Sequence, residues 1–257
     1  MPESDIDLLF RAAREAGDIA CRFWKSAPEN WDKGGGAGPV SEADLAVNAH
    51  LRRMLAAARP DYGWLSEESE DDKTRLRCER VFIIDPIDGT RAFIAGEETW
   101  AHSLAIARDG RIETAVVHLP VRNRTYSAVR GAGAFVNGRA MRASACSTVA
   151  QATILAARAS FDPVHWKGGS LPASRAFRPS LAYRLALVGE GRFDAMLTLR
   201  DTWEWDVAAG TLIVQEAGAT VTDRRGAAPV FNNPHPALAG LVAAPAGLHG
   251  ALLARLS

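Results

Sequence analysis

Residues 81–90 read Val-Phe-Ile-Ile-Asp-Pro-Ile-Asp-Gly-Thr. Four apolar residues run straight into two aspartates three apart, with a proline between them. Val81 to Ile84 has the unbroken apolar character of a strand buried on both faces. Pro86 removes a backbone donor and stiffens the chain, so the strand is expected to end in a tight turn. Two carboxylates this close repel each other, so a positive group is expected beside them.

Outward from this stretch, the first part of the chain predicts helices followed by an antiparallel sheet. Ile6, Leu9, Ala13, Ala16, Ala20, Phe23 and Trp24 follow helical spacing between Asp5 and Lys25. A glycine-rich loop, with Lys33 and Gly34-Gly-Gly36, precedes Ser41, the expected N-cap of a helix marked by Val47, Leu51, Met54, Leu55 and Ala58. A short strand over 62–66 leads into Glu67-Glu68. Strands at 103–107 and 113–118 flank an Asp-Gly hairpin turn, and 126–129 continues the sheet before a turn at Asn137-Gly138.

The rest alternates, with strands near 153–157, 193–197, 220–222 and 238–243. Helices are expected near 181–189, 205–217 and 247–256, with 160–178 as loop. Gly218 is a C′ glycine. The pattern divides the chain into an N-terminal α+β half (1–145) carrying most of the acidic motifs and a C-terminal α/β half (146–257).

Composition narrows the class. The 257 residues carry 30 Lys plus Arg against 30 Asp plus Glu, so no global field points to nucleic acid and anion binding must be local. Cys21, Cys78 and Cys146 form no disulfide framework, which fits a reducing compartment. Without a signal-like N-terminus or an apolar run of membrane-spanning length, a cytoplasmic protein is expected.

The acidic residues Asp44, Glu67, Asp85, Asp88 and Asp206 each fall at the end of a predicted element, where ligands gather in α/β proteins. A lone first-turn Asp, such as Asp44 or Asp206, is most simply a helix cap; the weight lies in the combination. An all-oxygen set without paired His or Cys suits a hard cation, Mg2+ or Mn2+. A helix starting at Gly89-Thr90 would turn its N–H groups toward the same place and hold an anion. His102, shortly after the acidic segment, reads as a core or rim histidine, as imidazoles without metal spacing usually are.

The chain resembles the inositol monophosphatase family of Mg2+-dependent, lithium-sensitive phosphatases. SEAD (41–44), SEES (66–69), DPIDGT (85–90), GAFVNG (133–138) and WDVAAG (205–210) occur in the family's order, across nearly the whole chain. The resemblance implies a layered α/β/α/β/α sandwich of the inositol monophosphatase and fructose-1,6-bisphosphatase type. It implies two or three Mg2+ ions, with Mn2+ as a substitute, held by Glu67, Asp85, the Ile87 carbonyl, Asp88 and Asp206. Asp44, Thr90 and Glu67 would serve catalysis, and a metal-activated water would attack a phosphomonoester. Substrate would meet Ile87, Asp88, Gly89, Thr90, Arg184 and Asp206. Glu68 would stand behind the ligands, and Lys33 resembles a mobile-loop lysine.

Three features lean toward the family's 3′(2′),5′-bisphosphate nucleotidases: Arg91-Ala-Phe-Ile94, Thr202-Trp-Glu-Trp-Asp206, and Arg184 where that branch often has Lys. Against them, Arg91 and Arg184 could equally be solvated helix-face charges. Ile87 within DPIDGT leans toward inositol-1-phosphate phosphatases, and sugar or histidinol phosphatases also belong to the family. Arg178-Pro-Ser180 replaces the usual Gly-Ser turn beside the substrate. Trp203 and Trp205 could stack on a base, with core packing the simpler use. The expected partner is a small phosphorylated metabolite, with no membrane, no specific nucleic acid and room for a homodimer. The non-enzymatic alternative is the same fold used as a protein- or RNA-binding regulator.

Overall fold

The computed structural model describes residues 3–35 and 38–257. Gly36 of the glycine-rich loop lies outside them. Ser4 accepts from the Asp7 N–H and starts helix α1 (Asp5–Phe23). The glycine-rich loop joins β1 (Asn30–Asp32) and β2 (Pro39–Ser41), an antiparallel pair that the sequence did not signal, because three-residue strands carry too few positions to show a period. Helix α2 (Glu42–Ala58) follows at once.

Strands β3 (Gly63–Ser66), β4 (Arg80–Asp88), β5 (Ala101–Arg108), β6 (Arg111–Leu119), β7 (Arg124–Val129), β8 (Gly133–Val136) and β9 (Arg139–Ala140) form one sheet in sequence order. Every pair in it is antiparallel except β3 with β4. A five-residue helix, α3 (Thr90–Ile94), sits between β4 and β5.

The second part comprises β10 (Thr153–Ala156), β11 (Ser174–Ala176), α4 (Leu181–Gly189), β12 (Ala195–Thr198), β13 (Thr202–Trp203) and α5 (Glu204–Glu216). It ends with β14 (Thr220–Thr222), β15 (Ala237–Leu238), β16 (Leu241–Ala244) and α6 (Ala246–Arg255). Its five-stranded sheet has the order β11-β10-β12-β16-β14, with β16 antiparallel to both neighbours. Two expectations change here. The segment 160–178 is not all loop: it holds β11, parallel to β10, after short 3-10 turns at Arg158–Phe161 and Pro163–His165. The single strand expected at 238–243 is two, β15 pairing with β13 and β16 with β12 and β14.

Period-two alternation assigns the layers. Phe82, Ile84, Leu104, Ile106 and Val116 face Leu8, Leu9, Val47 and Leu51 of α1 and α2. Val81, Ile83, Ala105, Ala115 and Val117 face the other way, onto Leu185, Val207 and Ile213 of α4 and α5. Leu155, Met196 and Ala243 of the second sheet close that core from below, and its far face packs Ile154, Leu197 and Val242 on Leu248 and Leu252 of α6. The expected five-layer α/β/α/β/α sandwich is the observed one. Helices α4 and α5 cross where the sequence has Gly210. A Cβ there would lie 2.5 Å from the Leu185 Cβ, so only glycine permits the approach.

Strand β4 corrects the reading of the opening motif. It does not stop at Ile84 but runs on to Asp88. Asp85 pairs with Ser103 and Asp88 with Ala101, so Pro86 and Ile87 together oppose one residue, His102. This is a β-bulge, and the extra residue shifts the side-chain phase by one. Upstream, odd-numbered Val81 and Ile83 face α5; after the bulge, Ile87 packs instead with Phe82 and Ile84 on the α1–α2 side. In a regular strand Asp85 and Asp88, three apart, would point to opposite faces. The bulge turns both toward α4 and α5.

Candidate active site

Four elements deliver acidic groups to one place. Glu67, Asp85 and Asp206 each offer a carboxylate oxygen within 4.8 Å of the others. Glu67 follows β3, Asp85 opens the bulge of β4, and Asp206 lies in the first turn of α5. Asp88, on the far side of the bulge, is outside that group but near enough for its charge to act on Asp85 and Asp206. Its Oδ2 accepts from the Ser180 hydroxyl and the Ala182 N–H, both at 2.6 Å, which leaves Oδ1 for the site. Ser180 is also the N-cap of α4, accepting from Tyr183 N–H. The Arg178-Pro-Ser180 turn therefore replaces the Gly-Ser turn without losing a hydroxyl at the acidic cluster. A serine before an apolar run signals a cap, but nothing in the sequence pairs it with Asp88.

Asp44 combines the bland reading and the functional one. Its Oδ2 accepts from the Ser41 N–H (2.9 Å) and hydroxyl (2.5 Å), the N-terminal cap of α2. Its Oδ1 lies 3.2 Å from Thr90 Oγ1, which is 3.1 Å from the Ile87 carbonyl. Thr90 is the first residue of α3, entered through Gly89 at φ +98°, a conformation that favours glycine. One turn beyond Asp44, Asn48 accepts from the Ser66 hydroxyl and donates to the Glu68 carbonyl, holding the Glu67-Glu68 turn against α2. Sequence reasoning missed Asn48; its i,i+4 spacing from Asp44 was the available signal.

The electrostatics follow from burial. Burial pushes Asp44 up to about 6, against the pull of the Ser41 hydrogen bonds. It pushes Asp88 to about 6 and Glu68 to about 7. Asp85 and Asp206 are raised well above the usual carboxylate range, first by burial and then by one another's neighbours, Glu67 and Asp88. Lys33 pairs with the cluster directly: its Nζ lies 2.7 Å from Glu67 Oε1 and 2.6 Å from Glu68 Oε1. Burial works against this ammonium, but the two carboxylates outweigh it and push it up to about 12. Clustered all-oxygen donors, Asp85 buried and Glu67 and Asp206 half-buried, fit a hard divalent cation.

Arg184 is not a solvated helix-face charge. It is 5% exposed, its guanidinium 4.4 Å from the Phe177 ring centroid. Its Nε donates to the Arg178 carbonyl and its Nη2 to the Pro179 carbonyl, at 3.4 Å for the latter. Burial depresses it to about 10, with Asp88 pulling the other way. Arg91 is exposed. Trp203 and Trp205 stack at 5.0 Å and 12°, with His235 edge-on to Trp203 at 5.3 Å. Between them, Glu204 is fully buried and accepts from the Asn232 and Asn233 N–H groups, and Arg75 bonds Asn232 Oδ1 and the Asn233 carbonyl. That polar network seats the start of α5, and hence Asp206. Among the described residues, no helix is long and apolar enough to cross a membrane.

The profile of the inositol monophosphatase family matches residues 1–257. A Streptomyces griseus protein named glucose-1-phosphate thymidylyltransferase is 38% identical over 232 residues, 87% of each chain. An inositol-1-monophosphatase of Rhizobium meliloti is 38% identical over 205 residues, 75% of this chain and 74% of that one. The solved structure of a Thermotoga maritima IMPase superposes with a TM-score of 0.83 at 28% identity, covering 96% of this chain and 94% of that one.

Proposed function

The chain belongs to the inositol monophosphatase family and is a phosphomonoester hydrolase; from this we propose that it dephosphorylates a small metabolite, a 3′(2′),5′-bisphosphate nucleotide before others. The observation that carries the finer reading is Arg184. It is a buried guanidinium braced on Phe177, close enough to Asp88 for the two charges to interact. A cation held so near the acidic cluster suits a second phosphate on the substrate. The Trp203–Trp205 stack, which leads into Asp206, supports a planar base in the leaving group. Inositol 1-phosphate is the second reading, favoured by Ile87 in DPIDGT and by the Rhizobium meliloti relative.

Glu67, Asp85, the Ile87 carbonyl, Asp88 Oδ1 and Asp206 would hold Mg2+. Bound there, the ions supply Lewis acidity at the phosphate and make water nucleophilic near neutral pH. The protein's own part is positioning and proton handling. Gly89 and Thr90 N–H groups, opening α3, receive the phosphate. Thr90 Oγ1 takes a proton from the attacking water and passes its own to Asp44 Oδ1. Asp44 Oδ1, 3.2 Å from Thr90 Oγ1, is placed to accept that proton.

Thr90→Ala is expected to lower kcat by about 100-fold while KM changes little, because the hydroxyl acts on the reacting water rather than on bound substrate. Steady-state kinetics read this directly, and an unchanged kcat removes Thr90 from the mechanism. The substrate assignment is tested by phosphate release from 3′-phosphoadenosine 5′-phosphate and inositol 1-phosphate, side by side, in Mg2+ with and without Li+. A clear preference for the nucleotide is expected, and preference for inositol phosphate would replace the first reading with the second.

A further inference from the structure

We propose that His102 is a positioning residue, whose Nδ1–H locks the Asp85–Asp88 bulge and so holds both carboxylates in the geometry that binds the cation. Pro86 and Ile87 face one residue across the sheet, and that residue is His102. The ladder cannot satisfy the bulge, since Pro86 has no N–H and the extra residue breaks the repeat. His102 is 0% exposed, and its Nδ1 donates to the Pro86 carbonyl, the acceptor midway between the two aspartates. A carbonyl accepts only, so the proton sits on Nδ1. Its Nε2 has no hydrogen-bond partner among the described residues. The ring is held edge-on by Trp100 at 5.5 Å and stacked on His118 at 6.1 Å and 24°, which fixes the direction of the donor.

The second lock on the bulge is local, the Ile87 N–H donating to Asp85 Oδ1 at 3.0 Å. The next residue of β5 completes the arrangement on the opposite face. Ser103 Oγ donates to the Trp205 carbonyl at 3.0 Å, one residue before Asp206. Two adjacent residues of β5 thus brace the bulge aspartates and the segment entering Asp206. An apolar side chain at 102 would fill the same space and leave the Pro86 carbonyl buried without a partner. The bulge would then relax toward regular pairing, and the phase shift that turns Asp88 inward would weaken.

This rests on reading the acidic cluster as a cation site, so binding is measured apart from turnover. Mn2+ binding by electron paramagnetic resonance would compare the wild type with His102→Leu and His102→Asn. Leucine keeps volume and loses the donor; asparagine loses volume and keeps a donor at the δ position. Expected is a roughly 10- to 100-fold weaker Mn2+ affinity for the leucine variant, the scale of lost support behind a ligand, with asparagine within a few-fold of wild type. The reverse order, or equal affinities, would overturn the proposal and leave His102 as core filling. No Mn2+ binding by the wild type would overturn the cation reading itself. Should the leucine variant not fold, the wild type decides alone: long-range 1H–15N correlation is expected to find the Nδ1–H tautomer at His102, and the Nε2–H tautomer would overturn the proposal.

Discussion

Asp88→Asn is expected to lose roughly a thousandfold or more in kcat/KM, the several kcal/mol that a correctly held metal contributes to a phosphoryl transition state. Asp88 Oδ2 is already committed to the Ser180 hydroxyl and the Ala182 N–H. In the asparagine variant the single oxygen is drawn to the Ala182 N–H, which turns the amide NH2 toward Glu67, Asp85 and Asp206. A donor then faces the cluster where an acceptor is needed. The fold should not suffer. Asp88 is buried and raised to about 6 by that burial, so neutralising it removes a buried like charge. The melting temperature in chelator should be unchanged or higher. Turnover within a few-fold of wild type would show that Asp88 is not a ligand.

The second large effect is on stability, and its sign follows from the same groups. Asp44 and Asp88 are raised to about 6 from 3.8, and Glu68 to about 7 from 4.5; Asp85 and Asp206 move the same way. Between the unfolded and folded values the folded protein binds more protons than the unfolded chain. In chelator its stability should therefore fall as pH rises from about 4 through 7. Below the unfolded values the penalty is absent; above the folded values it is complete. Mg2+ held by the folded, ionised cluster would offset that loss by mass action. The rise in melting temperature on adding Mg2+ should be several degrees larger at pH 8 than at pH 5, with each kcal/mol reading as about 2–4 °C in a chain of this size. Calorimetry at both pH values, in EDTA and in Mg2+, measures it. An equal rise at both would mean that ionisation of the cluster is not what Mg2+ stabilises.

Much of this was legible in the residues. Helical periods placed α1, α2, α4 and α5 within a few residues, and the unbroken apolar run at 81–84 was a strand buried on both faces. The motifs around Asp44, Glu67, Asp85, Asp88, Thr90 and Asp206 marked the candidate residues, most of them beside the end of an element, although Asp85 lies inside β4 rather than at its end. The short strands β1, β2, β11 and β13 were not among the expected elements, since strands of two or three residues give only a weak local signal.

What the chain order could not supply was direction. Spacing alone sends Asp85 and Asp88 to opposite faces of a strand, and only pairing with β5 reveals the bulge that turns them together. Whether Arg184 was solvent-facing or buried depended on Phe177 and the 178–179 carbonyls covering it. His102 and Pro86 lie 16 residues apart, and Ser180 and Asp88 lie 92 apart. The sequence by itself determined which groups the protein has and near which elements most of them sit, because local period and turn chemistry act within a few residues. Tertiary structure alone decided which of those groups face one another, because strand pairing and layer packing join residues that no local rule connects.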